Sequence, residues 1–208
     1  MQFKTQVEKD HYLTRTYLRA DRWMNYWYQL DAILSLKPAS VFEIGVGNRV
    51  VSDTLNKFCK SVTTLDIAFE LKPDIVGLAT EIPFKDNSFD GVLAAEVLEH
   101  LPWTTLSLAL GENTRVAKKY AVITLPHSGY TFALVFKFPL IQRKWLFKIP
   151  HFWKRHVFNG EHYWELGKKG YSVSRVRSEF MKAGLCILHE GYSPDDPGHY
   201  RFVLEKHP

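Results

Sequence analysis

The sequence has little cysteine, no long uncharged apolar run and no repeated or low-complexity segment, and each absence excludes a class of protein. Cys59 and Cys186, the only cysteines, lie far apart, so neither a disulfide framework nor a cysteine-rich metal site is expected. No apolar run approaches the ~20 residues that span a bilayer. Charges occur throughout the N-terminal segment, unlike a secretory signal. These absences predict a cytoplasmic protein with free thiols.

The composition that remains is that of a globular protein. Of the 208 residues, 46% are hydrophobic and 24% are charged, which are ordinary proportions for one substantial folded domain. The net charge of +5 permits an anionic partner but does not require one.

Short apolar segments alternate with helical patterns along most of the chain. Residues 12–37 are predicted to contain an N-terminal helix, whose apolar side chains at three- and four-residue spacing are Tyr17, Ala20, Met24, Trp27, Leu30 and Leu34. Predicted strands follow at SVFEIGV, SVTTLDI, DIVGLA, DGVLAAEV and YAVITL, and a helix and two last strands end the chain. Apolar strands that alternate with helices are typical of a parallel sheet covered on both faces. We therefore predict an α/β fold with a doubly wound, mostly parallel sheet.

After Pro126 the sequence becomes rich in aromatic and basic residues. Between residues 130 and 164 only Glu161 is acidic. We predict that this insert, residues 127–170, packs on the sheet as a cap on the acceptor side. Two other roles stay open: it could line an aromatic acceptor pocket, or residues 130–177 could bind a nucleic acid or an anionic membrane surface.

The first predicted strand ends in a loop with two glycines, Gly45 and Gly47, within VFEIGVGNRV. Ligands of parallel sheets bind beyond the carboxyl ends of the strands, where glycine lets a ligand approach the backbone closely. The dinucleotide fingerprint G-x-G-x-x-G fails because its last position holds Val50, and Arg49 replaces the third glycine of a Gly-x-Gly-x-Gly loop. Glu43 would repel a phosphate but suits an ammonium group. S-adenosylmethionine carries an amino group and a sulfonium but no phosphate, so it fits this loop.

Asp66 ends the second predicted strand, 19 residues beyond Gly47. A carboxylate at this place can accept hydrogen bonds from both hydroxyls of a ribose. The alternative is an aspartate that only begins a turn.

With these residues, the stretch GLATEIPFKDNSFDGVLAAEVLEHLP, residues 77–102, resembles the class I S-adenosylmethionine-dependent methyltransferases. It is similar in particular to the broad group whose central pattern is G-D-A-x-x-L-P-F-x-D-N-S-F-D. The resemblance covers about residues 41–126. It implies a seven-stranded Rossmann-like sheet and a single methyltransferase domain over residues 1–208. In that domain residues 38–126 hold the cofactor and residues 171–208 add the last helix and strands.

The resemblance also assigns seven residues to the cofactor, which are Glu43, Gly45, Gly47, Asp66, Leu78, Ala79 and Glu96. The first three would line its methionine end, and Asp66 would hold the ribose. The backbone of Ala79 would bond the adenine, beside Leu78, which replaces an aspartate common in the family. Glu96 would face the cofactor or the acceptor. The product would be S-adenosylhomocysteine.

Two histidines are candidates for catalysis because an imidazole titrates near neutral pH. His127 follows the fifth strand and His162 lies in the insert; a structural role is the alternative for each. Glu96, Glu99 and His100 share an E-x-x-E-H spacing that places them on one helical face. The spacing is similar to one that holds a divalent metal in some RNA-end methyltransferases, but it also begins helices in relatives that bind no metal, and a metal needs further ligands. No metal site is predicted.

The predicted function is transfer of a methyl group from S-adenosylmethionine to an oxygen or nitrogen of a small-molecule or glycan-like acceptor. The Asn/Asp-Pro-Pro-aromatic tetrad of many base-directed amino methyltransferases is absent after the fourth strand, where the sequence is AlaAlaGluVal. Two alternatives stay open. One is an RNA methyltransferase that holds phosphates with the basic insert; the other is a non-catalytic module that binds the cofactor.

Overall fold

The computed structural model describes residues 6–139 and 141–207. The helices of this part are α1 (Lys9–Tyr12), α2 (Ala20–Ser35), α3 (Val50–Leu55), α4 (Leu106–Val116) and α5 (Val173–Lys182). The strands are β1 (Ser40–Ile44), β2 (Ser61–Asp66), β3 (Ile75–Val76), β4 (Phe89–Ala95), β5 (Ala117–Pro126), β6 (Gly129–Phe138), β7 (Ile141–Pro150), β8 (Leu185–Ser193) and β9 (Asp196–Lys206). None of the described helices has the length and hydropathy needed to cross a bilayer.

Seven strands form one sheet in the order β3-β2-β1-β4-β5-β9-β8. Strands β1 to β5 pair in parallel, whereas β9 runs antiparallel to both β5 and β8. The strand order reverses between β1 and β4, which are neighbours although β2 and β3 come between them in sequence. The predicted doubly wound, mostly parallel seven-stranded sheet is therefore confirmed.

The two faces of the sheet pack against different helices because successive residues of a strand point to opposite sides. Val41 and Leu93 face one way, in a core cluster with Ile33 of α2 and Leu55 of α3. Phe42 and Ile44 face the other way, in a larger cluster that includes side chains of α4 and α5. Both clusters consist of fully or nearly fully buried side chains, so the sheet is covered on both faces.

The N-terminal helix is shorter than predicted and buries a different face. Residues 13–19 form turns, and the helix begins at Ala20. The hydroxyl of Thr14 accepts a hydrogen bond from the Tyr17 amide and donates one to the His11 carbonyl, a local pairing that competes with helix formation. The side chains of α2 that are buried are Asn25, Tyr26, Gln29, Ala32 and Ile33, whereas Trp27 of the predicted apolar face is 53% exposed.

The aromatic and basic insert consists of two parts. Residues 129–150 form a two-stranded hairpin, β6–β7, that pairs only within itself among the described strands and exposes most of its side chains. The segment after it returns to the body of the protein. There the fully buried Trp164 packs in the larger core cluster, and its indole N–H donates to the Leu101 carbonyl at 3.1 Å. Only this second half of the insert covers the sheet.

Candidate functional site

A cavity of about 340 Å³ lies at the carboxyl ends of β1, β2 and β4. This is the edge at which parallel sheets bind ligands, beside the point where the strand order reverses. Eight of the nine residues singled out from the sequence line the cavity, namely Glu43, Gly45, Gly47, Asp66, Leu78, Ala79, Glu96 and His162. The ninth, His127, does not.

The loop after β1 has three alternate residues with positive φ, at Gly45 (81°), Gly47 (50°) and Arg49 (66°). Arg49 thus adopts the left-handed conformation that the third glycine of the pattern would supply. Its guanidinium donates to the Lys72 carbonyl at 2.6 Å and lies 3.5 Å from the Asp53 carboxylate. Arg49 is not among the residues that line the cavity, so its side chain braces the loop from outside.

Asp66 joins the loop after β1 to the loop after β2. One carboxylate oxygen accepts from the Val46 amide at 2.9 Å and the other accepts from the Ala68 amide at 2.8 Å. Burial raises the pKa of Asp66, and these backbone N–H groups oppose that rise. Because each oxygen has two lone pairs, the carboxylate retains acceptor capacity for a ligand.

Glu43 is a carboxyl group with almost no contact with solvent. It is 3% exposed, and its Oε2 atom has no hydrogen-bond partner within the described part of the chain. Burial raises the pKa of Glu43 to about 8, although the Ser52 hydroxyl and Arg49 oppose the rise. At neutral pH the group is therefore largely protonated, and a cation against it would favour the carboxylate.

Glu96 lies just after β4 with a positive φ of 54°, a strained conformation for a residue with a side chain. Its carboxylate accepts from the Thr124 hydroxyl at 2.8 Å and lies 3.5 Å from Nε2 of His199. Burial opposes charging of His199, but Glu96 and Asp196 together raise its pKa. His199 comes from β9, and the pairing of β9 with β5 brings it to the cavity; no local sequence signal pointed to it.

Glu99, His100 and His162 form a second group in the cavity. One ligand atom from each lies within 4.8 Å of the others. Glu99 is 0% exposed and both of its carboxyl oxygens have no hydrogen-bond partner in the part of the chain described. Burial, followed by the charge of Glu96, raises the pKa of Glu99. Glu96 itself stands apart from this group, because it precedes the helical turn Leu98–His100 instead of sharing its face as predicted.

His127 is buried in an aromatic cluster, which corrects the prediction that it faces the acceptor. Its ring centroid lies 5.9 Å from that of Tyr192 and 5.5 Å from that of Tyr200. Burial, with a contribution from Lys148, lowers the pKa of His127 to about 4. The backbone explains the placement, since the His127 amide donates to the Gly198 carbonyl and so continues the β5–β9 pairing one residue further.

The N-terminal segment supplies a wall of the cavity that the sequence analysis missed. Its contributing residues are Gln6, Val7, His11, Tyr12, Tyr17 and Arg22. Tyr12 packs with Val46, Ala68 and Leu71 beside the loop after β1, and its ring meets that of Tyr17 edge-on at 5.3 Å. Periodicity could not reveal this, because an aromatic residue that covers a site follows the same spacing as one that packs in a core.

Comparison with known proteins agrees with the resemblance seen in the sequence. Residues 42–125 match the family model described as a methyltransferase domain. Among curated proteins no match was found.

Among solved structures, the N-methyltransferase NodS from Bradyrhizobium japonicum WM9, in complex with S-adenosylhomocysteine, is 14% identical. It has a TM-score of 0.61 over 95% of this chain and 96% of its own. The 1,6-didemethyltoxoflavin-N1-methyltransferase from Burkholderia thailandensis is 12% identical with a TM-score of 0.60, over 100% and 93%. The PH0226 protein from Pyrococcus horikoshii OT3 is 14% identical with a TM-score of 0.64, over 96% and 99%. At these identities the structures show a shared fold.

Gly45→Ala is expected to lower the free energy of unfolding more than Gly47→Ala. Both positions have positive φ, which costs a residue with a Cβ about 1–2 kcal/mol. At Gly45 the new Cβ would also lie 2.3 Å from Cγ2 of Val97, a stiff β-branched side chain, whereas at Gly47 the nearest atom is 3.7 Å away. Urea unfolding measures both losses. Adding Val97→Ala should restore part of the loss at Gly45 only, and equal losses in the two single variants would contradict this account.

Proposed function

We propose that this chain, whose residues 42–125 match the model of a methyltransferase domain, is a class I S-adenosylmethionine-dependent methyltransferase that moves the methyl group of that cofactor to an oxygen or nitrogen of a small-molecule or glycan-like acceptor. The observation that carries the proposal is the meeting of the glycine loop, Glu43 and Asp66 in one cavity at the switch point of the sheet. The cofactor supplies an electrophilic methyl group, and the protein supplies binding and alignment.

The cavity residues fit this cofactor on two counts. Gly45 and Gly47 have no side chain between the backbone and the cavity, so a ligand can lie against the loop. The unpartnered Oε2 of buried Glu43 needs a hydrogen-bond donor, which an α-ammonium group would provide directly or through water. In this arrangement Asp66 would accept from the ribose hydroxyls, and Leu78 and Ala79 would flank the adenine.

The acceptor would meet the methyl group on the side of the cavity formed by Glu96 and His162. Glu96 is held by Thr124 and His199, so its carboxylate is oriented before any ligand arrives. His162 lies in the segment that returns from the hairpin. A cavity of about 340 Å³ suits a small acceptor or the end of a larger one. The names of two structures of the same fold, an N-methyltransferase and an N1-methyltransferase crystallised with 1,6-didemethyltoxoflavin, agree with acceptors of this kind.

Asp66→Ala should weaken binding of S-adenosylhomocysteine by about tenfold or more, because hydrogen bonds to a charged group are worth about 1.5–3 kcal/mol. Isothermal titration calorimetry measures the affinity. Asp74→Ala is the matched control: Asp74 accepts from the Thr64 amide and hydroxyl at 2.8 Å but does not line the cavity. It should bind as the wild type does. If the wild-type chain binds neither S-adenosylmethionine nor S-adenosylhomocysteine below millimolar concentration, the proposed function is wrong.

Binding of the cofactor should also release a proton from Glu43. Its pKa of about 8 means that the carboxyl is mostly protonated at pH 7, and an ammonium group placed against it lowers that pKa. Calorimetry at pH 7 in buffers with different ionisation enthalpies should show release of close to one proton by the wild type. Glu43→Gln, which cannot ionise, should release clearly less. Equal proton release by the two proteins would show that Glu43 does not contact the ammonium group.

A further inference from the structure

The group formed by Glu99, His100 and His162 has a ligand requirement that the cofactor does not meet. The three residues offer a carboxylate and two imidazoles within 4.8 Å of one another. Glu99 is fully buried without a hydrogen bond to either oxygen among the described residues. Burying such a carboxyl is unfavourable unless a cation or a donor satisfies it. All three residues line the cavity, so a ligand can reach them.

The contacts around His100 prepare its ring to offer one nitrogen. Nδ1 of His100 lies 2.8 Å from Oε1 of Gln6 and 3.0 Å from the Glu161 carbonyl. Because the amide nitrogen of Gln6 donates to the His100 carbonyl, its Oε1 is the acceptor, so Nδ1 carries the proton and Nε2 has a free lone pair. Nδ1 of His162 lies 3.5 Å from the Glu165 carboxylate but has no hydrogen-bond partner among the described residues. For His100, hydrogen bonding through Nδ1 is the arrangement that orients a histidine for metal binding.

We propose that Glu99, His100 and His162 bind a divalent transition-metal ion such as Zn²⁺ or Mn²⁺. Two imidazoles and a carboxylate are donors for these ions, whereas Mg²⁺ and Ca²⁺ prefer oxygen ligands alone. Three protein ligands leave coordination positions open toward the cavity, where an oxygen of the acceptor could bind. That last role rests on the proposed function, but the metal site does not.

The test compares metal content and affinity in the full chain. After chelation and re-equilibration with Zn²⁺ or Mn²⁺, the wild type should retain one ion per chain by elemental analysis. Glu99→Gln removes the only anionic ligand and should lower the affinity by about 100-fold or more. Glu161→Gln is the matched control, since Glu161 precedes His162 and lines the same cavity but is outside the group; it should keep the wild-type stoichiometry.

A wild-type chain that retains neither ion, or a Glu99→Gln chain that binds as tightly as the wild type, would overturn the proposal. Circular dichroism checks that the variants are folded. Titration of S-adenosylhomocysteine into the chelated wild type separates the two proposals. Cofactor binding without metal binding disproves only the metal site, whereas loss of cofactor binding in every metal state counts against the proposed function.

A second, independent observation concerns the hairpin β6–β7. Its register pairs Phe132 with Phe147 and Leu134 with Trp145, so alternate residues of both strands share one face. The large apolar side chains of this face are between 47% and 66% exposed, and they are Phe132, Leu134, Phe136, Phe138, Trp145 and Phe147. With ten residues in each strand, the hairpin is roughly 33 Å long. A continuous apolar face of this kind marks an interaction site.

The charges of the hairpin lie mainly on its other face. Residues 129–150 contain no aspartate or glutamate, and Lys137, Lys144 and Lys148 alternate with the aromatic positions. Lys144 pairs with Asp195, and Lys148 donates to the His127 and Pro197 carbonyls. Through Lys144 and Lys148, the basic face contacts the body of the protein, so the aromatic face points outward.

We infer that this aromatic face docks on an anionic lipid surface. An element whose outward face is aromatic and aliphatic is suited to lie in the membrane interface. Because Lys144 and Lys148 are bound to the body of the protein, the cations that would meet anionic headgroups are Arg143 on the aromatic face and the exposed Lys137. A single strand of nucleic acid would need several cations beside the rings on the same surface. Among the described side chains of the aromatic face, Arg143 is the one cation. The charge arrangement therefore favours lipid.

Flotation with vesicles tests this inference. The full chain should float with phosphatidylcholine vesicles containing phosphatidylglycerol and much less with phosphatidylcholine alone. Phe136→Ser combined with Trp145→Ser should lower the partition coefficient by about tenfold or more, since two apolar side chains no longer leave water. Phe58→Ser, which changes a 68% exposed side chain outside the hairpin, is the matched control and should float as the wild type does.

A wild-type chain that stays unbound, or a double variant that floats as well as the wild type, would overturn the inference that the aromatic face docks on lipid. Retention of single-stranded RNA in place of vesicles, lost in the double variant, would assign the face to nucleic acid instead. The double variant should bind S-adenosylhomocysteine with wild-type affinity, because none of the described side chains of the hairpin lines the cavity. A failure of flotation therefore leaves the proposed function untouched.

Discussion

The carboxylate of Asp66 is the constraint on which the site depends. It accepts the amides of Val46 and Ala68, and it thereby fixes the loops after β1 and β2 relative to each other. The glycine loop gains its close approach only if it is held in the left-handed conformations at Gly45 and Gly47. A residue that would be assigned to ligand binding alone is therefore also part of the scaffold. This structural role leaves room for the ligand contact proposed above, because a carboxylate has more acceptor sites than these amides use.

Three of the glutamates that line the cavity, Glu43, Glu96 and Glu99, have different surroundings. Burial leaves Glu43 largely neutral, while Glu96 is held by the Thr124 hydroxyl and lies near His199. Glu99 is buried like Glu43, but neither of its oxygens has a hydrogen-bond partner in the described part of the chain. Carboxyl groups of the same kind thus have three different environments within one cavity.

The parts of the fold that follow from local pattern were predictable. Apolar strands between helices predict the parallel sheet, and Gly45, Gly47 and Asp66 mark its ligand edge because each follows directly from its own strand. The contributions of His199 and Tyr12 were not predictable, since each reaches the cavity through tertiary packing: the antiparallel pairing of β9 and the turns before α2. His127 shows the converse. Its place after β5 favoured a position in the site. One additional backbone hydrogen bond to Gly198, however, directs its side chain into an aromatic cluster.

Arg49 has a consequence for protein engineering. The link between β2 and β3 contains only one short helical turn, Phe69–Leu71, and the Arg49 side chain reaches across to the Lys72 carbonyl at the end of that turn. A designer who restored the glycine of the common pattern would relieve an unfavourable φ at position 49 but would detach this brace. The Arg49 side chain thus supports a link that has little structure of its own, so glycine at position 49 would improve the local geometry of the loop and weaken the contact between the two links.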